Sequence, residues 1–200
     1  MKRTIGLTGS IATGKSTVSQ WLKEAGFAVV DADIAARKVV EKGTAGLEEI
    51  RQHFGETVLT KEGELNRGKL GKIIFEDAEK RTLLNQIVHP KVKAYMLKER
   101  EALFEAGETI VIFDIPLLYE SHLEALVDQI VVVRTSRETE IKRLMARDGI
   151  QAEAAIQKID TQMPIEEKEQ RADFVIDNDG SLEKTKKQVD HLIQQFKNFQ

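Results

Sequence analysis

TIGLTGSIATGKSTV, residues 4–18, decides the fold. Thr4 to Leu7 is a short apolar run of the kind that forms a buried strand. It breaks at Gly9, and a helical pattern follows from Lys15 to Lys23. Between them Gly9-Ser10-Ile11-Ala12-Thr13-Gly14-Lys15-Ser16 fits the spacing G-x-x-x-x-G-K-[ST]. Two glycines at that spacing allow backbone angles and close approaches that a side chain resists. The amides from Ser10 to Ser16 can then surround phosphate oxygens at a helix N-terminus. Lys15 supplies a mobile positive charge over the outer phosphates, and the Ser16 hydroxyl is the natural ligand for Mg2+. Thr17 comes next and is placed to reach the inner phosphate. The loop therefore predicts a nucleoside triphosphate site.

Outward from the loop, four more apolar runs read as strands: Phe27–Val30, Ile110–Phe113, Ile130–Val133 and Phe174–Ile176. Most do not alternate with polar residues, as expected for strands covered on both faces. Helical segments separate them. This layout predicts an α/β protein: a three-layer P-loop NTPase fold with a five-stranded parallel sheet. Residues 1–33, 107–136 and 171–200 would form the nucleotide-binding core. Residues 34–106 are too long for one crossover and read as a helical acceptor-binding insertion. Helices are expected there near Gly46–Phe54, Arg67–Phe75 and Leu83–Phe104, with a kink or a helix start at Pro90. Residues 137–170 are helical and densely charged, a solvated hairpin able to act as a lid. A last helix runs from Ser181 to Phe199, with Leu182, Val189, Leu192, Ile193 and Phe196 as its apolar face.

Composition narrows the function. The chain has 200 residues, 41% of them hydrophobic, and a net charge of −3, which favours neither nucleic acid nor an anionic membrane. It has no cysteine, which excludes a disulfide scaffold, a thiolate nucleophile and a cysteine-bound metal. No apolar run approaches the ~20 residues of a spanning helix. A cytoplasmic protein is expected. Charged helical surfaces fit a monomer and leave self-association open. The sequence lacks the N-K-x-D guanine motif and an LSGGQ-like transport signature, and Asp114 is followed by Ile-Pro-Leu rather than x-x-Gly. These absences point from GTPases and transport ATPases towards a small-molecule kinase.

A kinase must orient an acceptor hydroxyl and remove its proton. In this layout ligands sit beyond the carboxyl ends of strands. Asp31 and Asp33 lie at one such end; Asp33, further out, is the preferred base, and Asp31 is a magnesium-water partner or a helix cap. Asp114 ends the IVIFD run, the usual place for an acid near the nucleotide's metal. Thr8, at the end of the first run, and Asp114 are also expected on the acceptor side. Arg143 and Arg147 fall on one helical face, preceded by Arg137, and guanidinium groups there can clamp a transferring phosphoryl group. Arg37, one turn after Asp33, and Arg67 are further anion contacts. His89 reads as a lone polar residue with no second histidine to complete a metal site.

The pieces IGLTGSIATGKSTV (5–18), VVDADIAARKVV (29–40), LLNQIVHP (83–90), DIPLLYE (114–120), KRLMARDG (142–149) and RADFVIDNDGS (171–181) together resemble the dephospho-coenzyme A kinase family. They cover nearly the whole chain in family order. One departure is Ser10, where a common form of the loop has glycine. The resemblance implies ATP-dependent phosphorylation of the ribose 3′-hydroxyl of dephospho-CoA, giving CoA and ADP, with Mg2+. It also implies a five-stranded parallel sheet carrying a CoA-binding helical subdomain and a lid. By resemblance Asp33 is the base, Arg37 and His89 lie in the acceptor region, Arg143 is the lid arginine with Arg147 as a second candidate, and Asn178 to Gly180 lie beside the adenine. Residue chemistry alone leaves open another small-molecule or nucleoside monophosphate kinase, or a nucleotide-switched binding module.

Overall fold

In a computed structural model, which describes residues 2–198, five strands form one sheet in the order β2-β3-β1-β4-β5. These are β1 (Arg3–Gly9), β2 (Ala28–Asp31), β3 (Ile110–Asp114), β4 (Gln129–Arg134) and β5 (Phe174–Asp177). β1 lies parallel between β3 and β4, and β4 pairs in parallel with β5. The first strand thus sits centrally, with later strands added on both sides. Its carboxyl end is the topological switch point where α/β sheets bind ligands.

The chain divides into two compact units, one of Met1–Val30 with Ala102–Gln200, the other of Asp31–Glu101. In the first, alternate strand residues Ile5, Leu7, Ile110, Ile112, Val131 and Val133 face a core completed by Val18 and Leu22 of α1 (Lys15–Glu24) and by Val189, Leu192, Ile193 and Phe196 of α9 (Leu182–Lys197). The Phe196 ring meets Phe27 and Phe174 edge to face, with centroids 5.9 and 5.8 Å apart. Leu182 is 63% exposed and does not join the apolar face expected of it, because it opens the helix ahead of the turn that reaches the sheet. The expected extension of α9 to Phe199 lies outside the described residues.

The charged segment after β4 is not a hairpin but three helices, α6 (Arg137–Asp148), α7 (Ala152–Ile159) and α8 (Ile165–Gln170). Nor is it merely solvated. Leu144, Ala155 and Ile159 form a small core with Ile141, Met145 and Ile150, and it takes in Ile11 and Ala12 of the glycine loop. Ser136 caps α6 by accepting from the Thr139 amide, and Gly149, left-handed at φ 65°, ends it.

The second unit holds α2 (Ala32–Lys38), α3 (Ala45–Phe54), α4 (Arg67–Glu76) and most of α5 (Ala78–Glu105). Its own core centres on Val39, Val40, Ile50, Val58, Leu70 and Ile87. α5 starts well before Pro90 and runs through it, so no helix begins there. Proline removes one backbone hydrogen bond, to the Gln86 carbonyl. Both residues are exposed, so water can take that carbonyl.

Candidate active site

The loop after β1 takes its shape from sterics. A Cβ on Gly9 would lie 2.6 Å from the Val133 carbonyl oxygen and 2.8 Å from Thr13 Oγ1, so only glycine lets β1 approach β4 there. Ala12 and Gly14 are left-handed, at φ 61° and 87°, and turn the chain back on itself before α1 begins. Ser10 is not left-handed, so the fold does not require glycine at that position. The Thr13 hydroxyl donates to the Ser10 carbonyl at 2.9 Å. Among the described residues the amides of Gly14, Lys15 and Ser16 have no protein acceptor, the arrangement that lets a helix N-terminus receive an anion.

Lys15 forms an ion pair with Asp114, and both are largely buried. The sheet register explains the meeting: Leu7 on β1 is level with Asp114 on β3, so both chains leave the sheet side by side. Thr8, fully buried, donates its hydroxyl to the Pro116 carbonyl at 3.1 Å and so holds the turn after β3. Ser16 is exposed at the start of α1, and Thr17 donates its amide to the Gly14 carbonyl at 3.0 Å. Among the described residues there is no cluster of three acidic or histidine side chains arranged for a metal. Magnesium bound with nucleotide phosphates does not need one, since phosphate oxygens and water supply most ligands. The exposed Ser16 hydroxyl fits the single protein ligand.

The arginine face is divided. Arg143 is half-buried and donates to the Asn178 carbonyl at 3.0 Å, and a Cβ on Gly14 would lie 3.9 Å from its guanidinium. Arg147 is exposed and pairs with its neighbour Asp148 at 2.8 Å. Arg137 is exposed and pairs with Asp160 at 2.6 Å. Arg143 is therefore beside Gly14, whereas Arg137 lines a cavity with Ser10 and Gln162 on another side of the loop. Gly180, at φ 132°, turns the chain between β5 and α9. Asn178 is buried: its side-chain amide donates to the Thr13 carbonyl at 2.7 Å, and its side-chain oxygen accepts from Thr185 at 2.8 Å. Its side chain therefore braces the phosphate loop from behind. Next to it, hydrogen bonds to Asp179, chiefly from Thr139, hold that carboxyl below its ordinary range.

Three further residues touch this region without having been singled out from sequence. Gln162 accepts the Ile11 amide at 2.9 Å, Lys168 reaches the Gly9 carbonyl, and Glu120 pairs with Lys168. Glu120 lies in the DIPLLYE stretch, which marked the segment but not the side chain. Nothing local in the sequence marks Gln162 or Lys168.

The remaining candidates belong to the second unit. Asp31 caps α2, accepting from the amides of Asp33 at 2.8 Å and Ile34 at 3.1 Å, which is the capping role open to it from sequence. Asp33 and Arg37 lie one turn apart on α2, both exposed. Their side chains have no hydrogen bond or ion pair among the described residues, nor has that of His89, exposed on α5 beside Pro90. Arg67 opens α4 and is exposed.

A family model for dephospho-CoA kinase matches residues 3–184. The chain is 64% identical over 198 residues to the dephospho-CoA kinase of Listeria innocua, with 99% of each sequence covered. Among solved structures, the dephospho-CoA kinase from Campylobacter jejuni superposes with a TM-score of 0.76 at 34% identity over 98% of both chains. A crystal structure from Thermus thermophilus superposes with a TM-score of 0.81 at 32% identity over 97% of both.

Proposed function

The chain belongs to the dephospho-CoA kinase family, and from that premise we propose how its residues divide the work of transferring a phosphoryl group from ATP to the ribose 3′-hydroxyl of dephospho-CoA. The observation that carries the reading is the phosphate loop, built with Lys15 against Asp114, in a chain the family matches almost from end to end.

Of the loop amides expected from Ser10 to Ser16, those of Gly14, Lys15 and Ser16, which have no protein acceptor among the described residues, bind the triphosphate, while the Ile11 amide stays with Gln162; Lys15 exchanges Asp114 for an outer phosphate oxygen. The Ser16 hydroxyl holds Mg2+, which when bound neutralises phosphate charge. Asp33 orients the 3′-hydroxyl and takes its proton as the oxygen attacks the γ-phosphorus. The bond from that phosphorus to the bridging oxygen breaks, and ADP leaves with the electron pair. Arg37 and His89 contact the acceptor, and Thr8 shapes its site through the turn it holds. Arg143 meets charge on the transferring group; α6 to α8 serve as the lid, with Arg147 reaching the nucleotide when they move. Asn178 and Gly180 set the loop beside the adenine. Residues 34–106 receive the CoA moiety. The reaction is cytoplasmic and the working species a monomer; among the described residues no helix is long and apolar enough to cross a membrane.

The test is CoA formation from ATP, Mg2+ and dephospho-CoA, with Asp33→Asn run in parallel. Removing a general base lowers kcat by roughly 10²–10⁴-fold. ATP affinity should stay within about threefold, a change under ~0.7 kcal/mol. CoA formation that persists at full rate in the variant removes Asp33 as base. ATP binding without CoA formation by the native protein rejects the acceptor.

A further inference from the structure

Lys168 lies on α8, in the stretch IEEKEQ, and its side chain is completely buried. Its ammonium donates to Glu120 at 2.8 Å and to the Gly9 carbonyl at 3.3 Å. Glu120 also accepts the Met163 amide at 3.0 Å, while its second carboxylate oxygen is buried and has no partner among the described residues. Gln162, in the connection between α7 and α8, accepts the Ile11 amide. One short segment therefore grips the loop at two successive points, a carbonyl at Gly9 and an amide at Ile11.

Stability does not explain this arrangement. A buried ion pair is on average no better than apolar residues of the same volume, because desolvation offsets the attraction. Its position does explain it. A phosphate loop must turn amides towards the anion, so carbonyls must turn the other way. Before an anion arrives, converging amide dipoles repel one another, and rotating a peptide plane would relieve that. Each outward carbonyl with a donor behind it resists the rotation. The Ser10 carbonyl has Thr13, the Thr13 carbonyl has Asn178, and the Gly9 carbonyl has Lys168.

We propose that Lys168 is a positioning residue for the phosphate loop: paired with Glu120, it holds the Gly9 carbonyl outward while Gln162 holds the Ile11 amide, so that the loop is set before nucleotide binds. The proposal rests on the nucleotide-binding reading above. Lys168 touches no substrate; it acts through Gly9.

The experiment measures ATP and ADP binding by titration calorimetry, unfolding temperature, and KM for each substrate. The proteins are the native chain, Lys168→Met, Lys168→Met with Glu120→Gln, and Gln162→Leu. Losing a hydrogen bond from a charged group predicts about a 10–100-fold weaker ATP affinity in Lys168→Met. KM for dephospho-CoA at saturating ATP should change less than about twofold, since uniform loss of ATP binding leaves the acceptor untouched. The double variant removes the stranded carboxylate. It should recover unfolding temperature while ATP binding stays weak, a split that a purely structural role does not give. Gln162→Leu, at a half-buried position, should weaken ATP binding several-fold with little loss of stability. ATP affinity unchanged in Lys168→Met, or restored together with stability in the double variant, overturns the proposal. If the double variant does not fold, native-like ATP affinity in Gln162→Leu overturns it. Failure of the native chain to bind ATP removes the functional reading, and the proposal with it; native binding with unaltered variants removes the proposal alone.

Discussion

Gly14→Ala tests whether the glycine loop is held by the contacts described. Two costs follow from the structure. Gly14 sits at φ 87°, and an alanine in left-handed backbone costs about 1–2 kcal/mol. The new Cβ also collides with the side-chain amide of Asn178. Moving Asn178 breaks its 2.7 Å bond to the Thr13 carbonyl and strains its 2.8 Å bond from Thr185, both buried. Leaving such groups unsatisfied costs about 1–3 kcal/mol. The sum of about 2–5 kcal/mol corresponds to a fall in unfolding temperature of roughly 4–20 °C for a chain of this size. Asn178→Ala alone should show only the second cost. In the double variant the collision is gone, so it should be more stable than additivity predicts by about 1–3 kcal/mol. Urea unfolding followed by fluorescence of Trp21, the single tryptophan, reports from α1 directly after the loop. A cycle additive to within about 0.5 kcal/mol would refute the argument, because contacting residues should couple more strongly than that.

Two more outcomes follow from other positions. Asp31→Ala removes the cap of α2 and should lower stability by about 0.5–2 kcal/mol, with faster amide exchange at Asp33 and Ile34, whereas Asp31→Ser should retain most of it. Burial lifts the Glu140 carboxyl from 4.5 to about 7; Arg137 and Lys168 favour its ionised form, and Glu166 and Asp160 oppose it. A raised carboxyl is no burden to folding below its unfolded value, a growing one as pH rises from about 4.5 to 7, and a constant one above. The stability of Glu140→Gln relative to the native chain should therefore climb across that window by about 3 kcal/mol. A difference that is flat with pH would show that Glu140 is not buried as an unpaired acid.

The phosphate loop was legible because its determinants are local: two glycines, a lysine and a serine at fixed spacing between a strand and a helix. The strands were legible for the same reason, as short apolar runs, three of the five closing on aspartates. What escaped was set by distance along the chain. Lys168 lies among glutamates and reads as a solvated helix face, yet its partner is the Gly9 carbonyl, 159 residues away. Gln162 and Ile11 are 151 residues apart. The charged segment looked light in core residues because its apolar positions are sparse. Ile141, Leu144 and Met145, at i, i+3 and i+4 on α6, were the signal that this face is covered. That Asp31 caps α2 could be shown only by backbone hydrogen bonds, which the sequence does not display.

The motif is therefore necessary for the loop but does not by itself set its conformation. Spacing makes the turn sterically possible; it does not choose which way each peptide plane faces. That choice is made by donors that arrive much later in the chain, Lys168 and Asn178, and by the acceptor Gln162. Each is buried or half-buried against the loop, and all three lie downstream of β4. Two of them, Gln162 and Lys168, lie within the segment expected to close over nucleotide, so that segment also shapes the nucleotide's cradle; Asn178 follows β5. Any movement of α6 to α8 that disturbed Gln162 or Lys168 would alter phosphate affinity as well as access. If α6 to α8 serve as the proposed lid, its movement shares the hydrogen bonds at Gly9 and Ile11 with the phosphate cradle. A closure that leaves both intact would keep α8 and the connection at Gln162 fixed against the loop.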